Sequence, residues 1–185
     1  LTVVTGPIAG PGSQCTVTDD VVITVKQPTT CLITGPDGPL CPSSSTIYSA
    51  PASATYAWSI SGNGTIVGNS NSQTVSIAAG SSCSETFTLS LTITAANGCI
   101  STCTKTVNVM DNTKPTVTKG SIGTCYASVA LAEAAAKSAT TSSDNCIGAL
   151  TTVASTVGDC AAVITVKVTD GCGNFDEVTY NTRID

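Results

Sequence analysis

Histidine is absent from this chain of 185 residues, and that absence removes most routes to nucleophilic catalysis. Without an imidazole no Ser–His or Cys–His pair can activate a nucleophile. Carboxylates are few and dispersed: Asp19–Asp20, Asp176–Glu177 and the isolated Glu85 and Glu133 fall on separate predicted strands or loops. Neither a G-x-G-x-x-G motif nor a P-loop occurs, so the sequence predicts no catalytic residues and no enzyme. Charge is scarce too, at 10% of residues against about 25% in ordinary soluble domains. With a net charge of −5 and no basic run, nothing attracts nucleic acid or an anionic membrane by counterion release. Long apolar runs are missing, and none approaches the roughly 20 residues that span a bilayer. No signal peptide is recognisable, so the sequence reads as a mature, internal stretch whose targeting signals lie elsewhere. Aromatics number four Tyr, two Phe and one Trp, too few for a row of exposed sugar-stacking rings.

What replaces charge is hydroxyl: the polar positions of the alternating segments are overwhelmingly Thr and Ser. A β-branched side chain favours extended backbone while its hydroxyl faces water, which suits Thr to strands. Ten cysteines stand against no histidine. Structural zinc needs Cys/His pairs repeated at a fixed distance, and Cys99-x3-Cys103 stands alone on a predicted hairpin. Cysteines spread near strand ends of a Thr-rich chain read instead as disulfides, hence an oxidising, extracellular location.

The chain also repeats itself. LTITAANGCISTCTKTVNV (91–109) restates LTVVTGPIAGPGSQCTVTDDVVITV (1–25), and AAVITVKVTDGCGNFDEVTYNTRI (161–184) is a third version. Each is an alternating strand, a Gly-containing loop with a cysteine, and a second alternating strand. Recurrence at this spacing marks tandem β-domains, with boundaries expected at 1–27, 28–111 and 112–185, and Leu1 falls in mid-strand. The chain therefore reads as a window on a longer array.

In the middle unit the candidate strands are 31–34, 46–49, 55–61, 64–67, 74–78, 85–95 and 104–109, separated by turn signals such as GPDGP and SGNG. Seven short strands in that length predict an immunoglobulin-like β-sandwich. Trp58 sits mid-strand, Tyr56 shares its face, and Tyr48 comes from the preceding strand; the three are expected in the core rather than as a sugar platform.

The last unit carries SDNC (143–146) answered by TDGCGN (169–174). Between Cys125 and Asp144, YASVALAEAAAKSAT predicts a short Ala-rich helix, with Ser128 as N-cap and Glu133 and Lys137 spaced i,i+4. No cofactor is called for, but Asp144, Asn145, Asp170 and Asn174 offer hard oxygens that suit calcium. The favoured expectation is that the same residues cap their own loops beside the Cys146–Cys172 bridge, with no metal bound. Asp111 and Asn112, at the junction, raise the same pair of alternatives.

Sandwich geometry suggests the cysteine pairs. Cys41 precedes the second strand of the middle unit and Cys83 its sixth, and these share one end, which predicts Cys41–Cys83. The same reasoning predicts Cys125–Cys160, and Cys146–Cys172 at the opposite end. Cys31 opens a first strand beside the last one, which predicts a bridge to Cys103 or Cys99, with Cys103 preferred. Cys15 is expected to find its partner upstream.

The stretch CPSSSTIYSAPASATYAWSISGNGTIVG…TFTLSLTITAANGCISTCTKTVNV resembles the PKD-like, immunoglobulin-like repeats of giant surface adhesins of gliding Bacteroidetes. CYASVALAEAAAKSATTSSDNC…CAAVITVKVTDGCGN is similar to the HYR-like repeats that accompany them. The resemblance covers about 28–185, with 1–27 as the end of a preceding PKD-like repeat. It implies type IX secretion, an outer-membrane-anchored cell-surface filament serving gliding motility and adhesion, and no catalysis. Its implied partners are neighbouring repeats, the secretion and motility machinery, and a surface or polysaccharide reached through distal regions. Two other functions fit a secreted β-chain: an accessory carbohydrate-binding module of a polysaccharide-degrading enzyme, and a self-assembling fibre subunit.

Overall fold

Residues 25–185 are described by a computed structural model. The leading hairpin and Cys15 lie outside the described residues. The architecture is mostly β-strand with one short helix, and its buried apolar residues form two separate clusters, the first spanning Ile33–Val109 and the second Ala132–Tyr180.

The first cluster is enclosed by two three-stranded antiparallel sheets. One has the order β1 (Ser45–Ser49), β4 (Thr74–Ala79), β3 (Gly64–Val67). The other has the order β2 (Thr55–Gly62), β5 (Ser84–Thr94), β6 (Ile100–Met110). Strict alternation makes them: in β5 Phe87, Leu89, Leu91 and Ile93 turn inward while Thr and Ser between them face outward. Trp58 and Tyr48 are buried with them, and Tyr56 packs at the margin. The indole Nε1 of Trp58 donates to Ser72 O at 2.9 Å, and Tyr48 meets Phe87 edge-on with ring centres 6.3 Å apart. Burial thus leaves no polar atom of these rings stranded.

The predicted strand at 31–34 does not form. Only Thr34 makes a bridge, to Ser49, because Gly35 and Pro36 turn the chain away directly afterwards. Cys31 is tied to Cys103 on β6 by a disulfide. Gly62, the last residue of β2, takes φ +88° as the chain turns toward β3, and an added Cβ would stand 2.4 Å from Thr86 O, so the position requires glycine.

In the second unit β10 (Thr151–Val157), β11 (Ala162–Thr169), β12 (Phe175–Ile184) and β8 (Cys125–Tyr126) form a four-stranded sheet in that order, β8 running parallel to β12. A two-stranded sheet pairs β7 (Thr116–Lys119) with β9 (Thr140–Ser143). The helix α1 (Val129–Ala139) starts at Ser128, whose hydroxyl accepts from Leu131 N, and buries Ala132 and Ala136. Small side chains on that face let the helix lie close against Ile164, Val166 and Tyr180. The i,i+4 pair does not form: Glu133 accepts from the Thr156 hydroxyl at 2.9 Å instead, because the adjacent sheet offers a fixed donor. Tyr180 closes the cluster, its phenol bonded to Thr140 Oγ1 at 2.8 Å and accepting from Gly120 N at 3.3 Å.

Candidate functional site at the junction of the two units

The connection from β6 to β7 is Asp111–Pro115, and Asp111 is almost completely buried, at 5% exposure. A charged residue is rarely so enclosed without partners. It lies where the end of the first unit meets two turns of the second. One oxygen from each of Asp111, Asp144 and Asp170 lies within 4.8 Å of the others. A cavity of about 240 Å³ opens beside them.

Two disulfides flank this cluster, and both cross from one unit to the other: Cys41–Cys146 and Cys83–Cys172, with Cα separations of 5.3 and 5.6 Å. The expected Cys41–Cys83 and Cys146–Cys172 pairs are therefore corrected. Strand-end reasoning places Cys41 and Cys83 at one end of the first unit and Cys146 and Cys172 at one end of the second. It treats each unit alone, so it cannot register that these two ends abut and exchange partners. The expected Cys125–Cys160 pair is absent, and both thiols are exposed. Cys125 lies on β8, on one side of β12, whereas Cys160 adjoins Asp159, whose carbonyl accepts from Ile184 N on the side of β11. Two strand spacings put such positions about 9–10 Å apart, beyond the Cα reach of a disulfide. Cys99 also forms no bridge among the described residues.

The four residues considered for calcium divide. Asp144 and Asp170 join the cluster, and Asp111 completes it. Asn145 is exposed and its amide nitrogen faces Cys146 Sγ, so it contributes nothing to the cluster. Asn174 directs its amide nitrogen to Asp170 Oδ2 at 2.8 Å and to Asp111 O at 2.9 Å. It is a latch between the units rather than a ligand. Loop capping also occurs: Asp170 Oδ1 accepts from Cys172 N and Asn174 N at 2.8 and 2.9 Å, and Asp144 Oδ2 accepts from Cys146 N at 3.4 Å. Each Asp-x-Cys turn thus shapes itself and presents its cysteine to the other unit. One atom is left over: Asp144 Oδ1 is buried and has no hydrogen-bond partner among the described residues.

Three carboxylates this close repel one another, and the chain brings no cation to them: among the described residues the ion pairs are Lys105–Asp37 and Arg183–Asp185. A calcium ion would draw on Asp111, Asp144 and Asp170, with backbone carbonyls or water completing its oxygen shell. Calcium added to chelator-treated protein is expected to raise the melting temperature, corresponding to about 2.7 kcal/mol at a hundredfold excess over Kd. Asp144→Asn should abolish that shift and leave the metal-free protein folded. Identical melting curves with calcium and with chelator would leave loop capping as the whole role of these residues.

No family model and no curated protein matches the chain.

Proposed function

We propose that this chain is a stiff structural segment of a repetitive extracellular filament, built from immunoglobulin-like units and serving reach and mechanical strength rather than catalysis. The observation that carries this reading is the junction. Two disulfides and an amide latch tie consecutive units together where an ordinary multidomain chain has a flexible linker. Such a double covalent clamp removes hinge freedom without needing a large apolar interface. Three disulfides fit an oxidising compartment, and no helix among the described residues is long and apolar enough to cross a membrane.

Within this reading the parent is a cell-surface adhesin of the gliding-motility type, exported by type IX secretion and contacting its surface or polysaccharide through distal regions. The segment's own partners are the units before and after it. A sugar-binding module needs several exposed rings, and among the described residues Phe175 is the one exposed aromatic, itself covered by Lys167 Nζ 3.5 Å from the ring centre. That weighs against the carbohydrate-binding alternative. Small-angle scattering on the oxidised chain should show an elongated, rigid particle that becomes more flexible when Cys41 and Cys83 are replaced by Ser. An unchanged scattering profile would remove the clamp, and with it this reading.

A further inference from the structure

The open end of the second unit carries the same residues that the first unit uses to hold its neighbour. In the first unit Cys41 follows Leu40, which bridges Val109 of β6 in parallel, and Cys83 precedes Ser84, which pairs with Met110. Asp111 stands one residue past β6. These three residues meet the two Asp-x-Cys turns, Asp144-x-Cys146 and Asp170-x-Cys172. In the second unit Cys125 pairs in parallel with Arg183 of β12, and Cys160 follows Asp159, whose carbonyl accepts from Ile184 N at 2.9 Å. Asp185 stands one residue past β12. The positions therefore correspond: a cysteine beside the last strand on its parallel edge, a cysteine before the antiparallel neighbour, and an aspartate just beyond. β12 has ten residues, which puts this end about 33 Å from the turn that holds Cys172.

At this end both cysteines are exposed and form no bridge among the described residues, and Asp185 is held within its own unit, paired with Arg183 and accepting from the Cys125 thiol at 2.8 Å. That hydrogen bond, with the charge of Asp185 adding and the charge of Arg183 opposing, holds the Cys125 thiol above its ordinary pKa. The opposite end of the first unit shows the complementary half. Asn97 Oδ1 accepts from Cys99 N at 3.0 Å, as Asp170 does from Cys172 N, and Asn97 Nδ2 donates to Gln27 O at 3.1 Å, as Asn174 does to Asp111 O.

We propose that Cys125, Cys160 and Asp185 form a docking face for a further unit of the second kind, one that presents two Asp-x-Cys turns and is disulfide-bonded to both cysteines. The inference rests on the serial-segment reading above. Each bridge forms when two thiols lose two protons and two electrons to a low-molecular-weight disulfide such as oxidised glutathione, which leaves as two thiols. Cys125 takes the turn equivalent to Cys146, and Cys160 the turn equivalent to Cys172.

The test extends the full chain by a second copy of residues 112–185 joined directly after Asp185, which reproduces the Asp111–Asn112 connection. After equilibration in a glutathione redox buffer, free thiols are alkylated and the bridges mapped by mass. The expected result is loss of labelling at Cys125 and Cys160 of the original chain, with both bridged to the appended turns, while the same two cysteines of the appended copy remain labelled. A Cys125–Cys160 bridge, or full labelling of both, would overturn the proposal. So would an appended copy that is unfolded beside an intact original chain, since the face would then fail to seat the unit it is proposed to fit. An extension that lengthens the particle in scattering yet leaves both thiols labelled refutes this inference alone and spares the serial-segment reading.

Discussion

Full reduction is expected to let a chain pulled from its two ends extend roughly 400 Å further than the oxidised chain, at 3.3–3.6 Å per released residue. The bridges Cys31–Cys103, Cys41–Cys146 and Cys83–Cys172 span sequence separations of 72, 105 and 89 residues. Force applied at the termini therefore passes through sulfur and bypasses most of the residues between Cys31 and Cys172. The same cysteines paired within units, Cys41–Cys83 and Cys146–Cys172 beside Cys31–Cys103, would release roughly 80 Å less, so the two arrangements differ by about a fifth in the added extension. Stability should fall with extension. Closing a loop of this size contributes about 4–5 kcal/mol through the unfolded chain. The two crossing bridges close overlapping loops, 41–146 and 83–172, so their effects should not add in full. Double replacement Cys41→Ser with Cys83→Ser, followed by denaturant melting, checks this. Equal midpoints for variant and parent would show that the junction contributes nothing to stability.

Trp58→Ala should cost about 3–5 kcal/mol. Trp58 is 5% exposed and belongs to the cluster that holds Tyr48, Phe87 and Leu91. Its removal opens a cavity between two small sheets that have no other tryptophan to refill it, and it strands Ser72 O without its indole donor. Hydrogen exchange read separately on peptides from β5 and β11 during denaturant melting should show the first unit failing while the second holds. A variant with unchanged midpoint that had lost affinity for a glycan would instead assign Trp58 to binding.

Much of the local structure is legible in the sequence because its causes are local. Alternation of Thr with Val, Ile and Leu dictates strands such as β5 and β11, since an apolar face must be covered and a hydroxyl face can stay wet. Ser128 followed by an alanine run specifies α1 through capping and propensity, which act within a few residues. The failed strand at 31–34 shows the limit of that approach, since Gly35 and Pro36 end the extended run before a ladder forms. Glu133 shows another limit: side-chain spacing on the helix suggests Lys137, but the sheet supplies Thr156 at a fixed position.

The sequence alone determined that cysteines pair as disulfides, the β-rich composition, the helix and the two ends at which the cysteines gather. All of these follow from residue type and spacing along one stretch of chain. Only the tertiary structure decided which cysteines join and which carboxylates meet. Cys41 and Cys146 are 105 residues apart, and Asp111 reaches Asp144 and Asp170 across the boundary between two cores. Such contacts depend on how one folded unit sits against the next. That placement is set by turn geometry at Asp144-x-Cys146 and Asp170-x-Cys172 together with the latch from Asn174, and no period in the sequence encodes it.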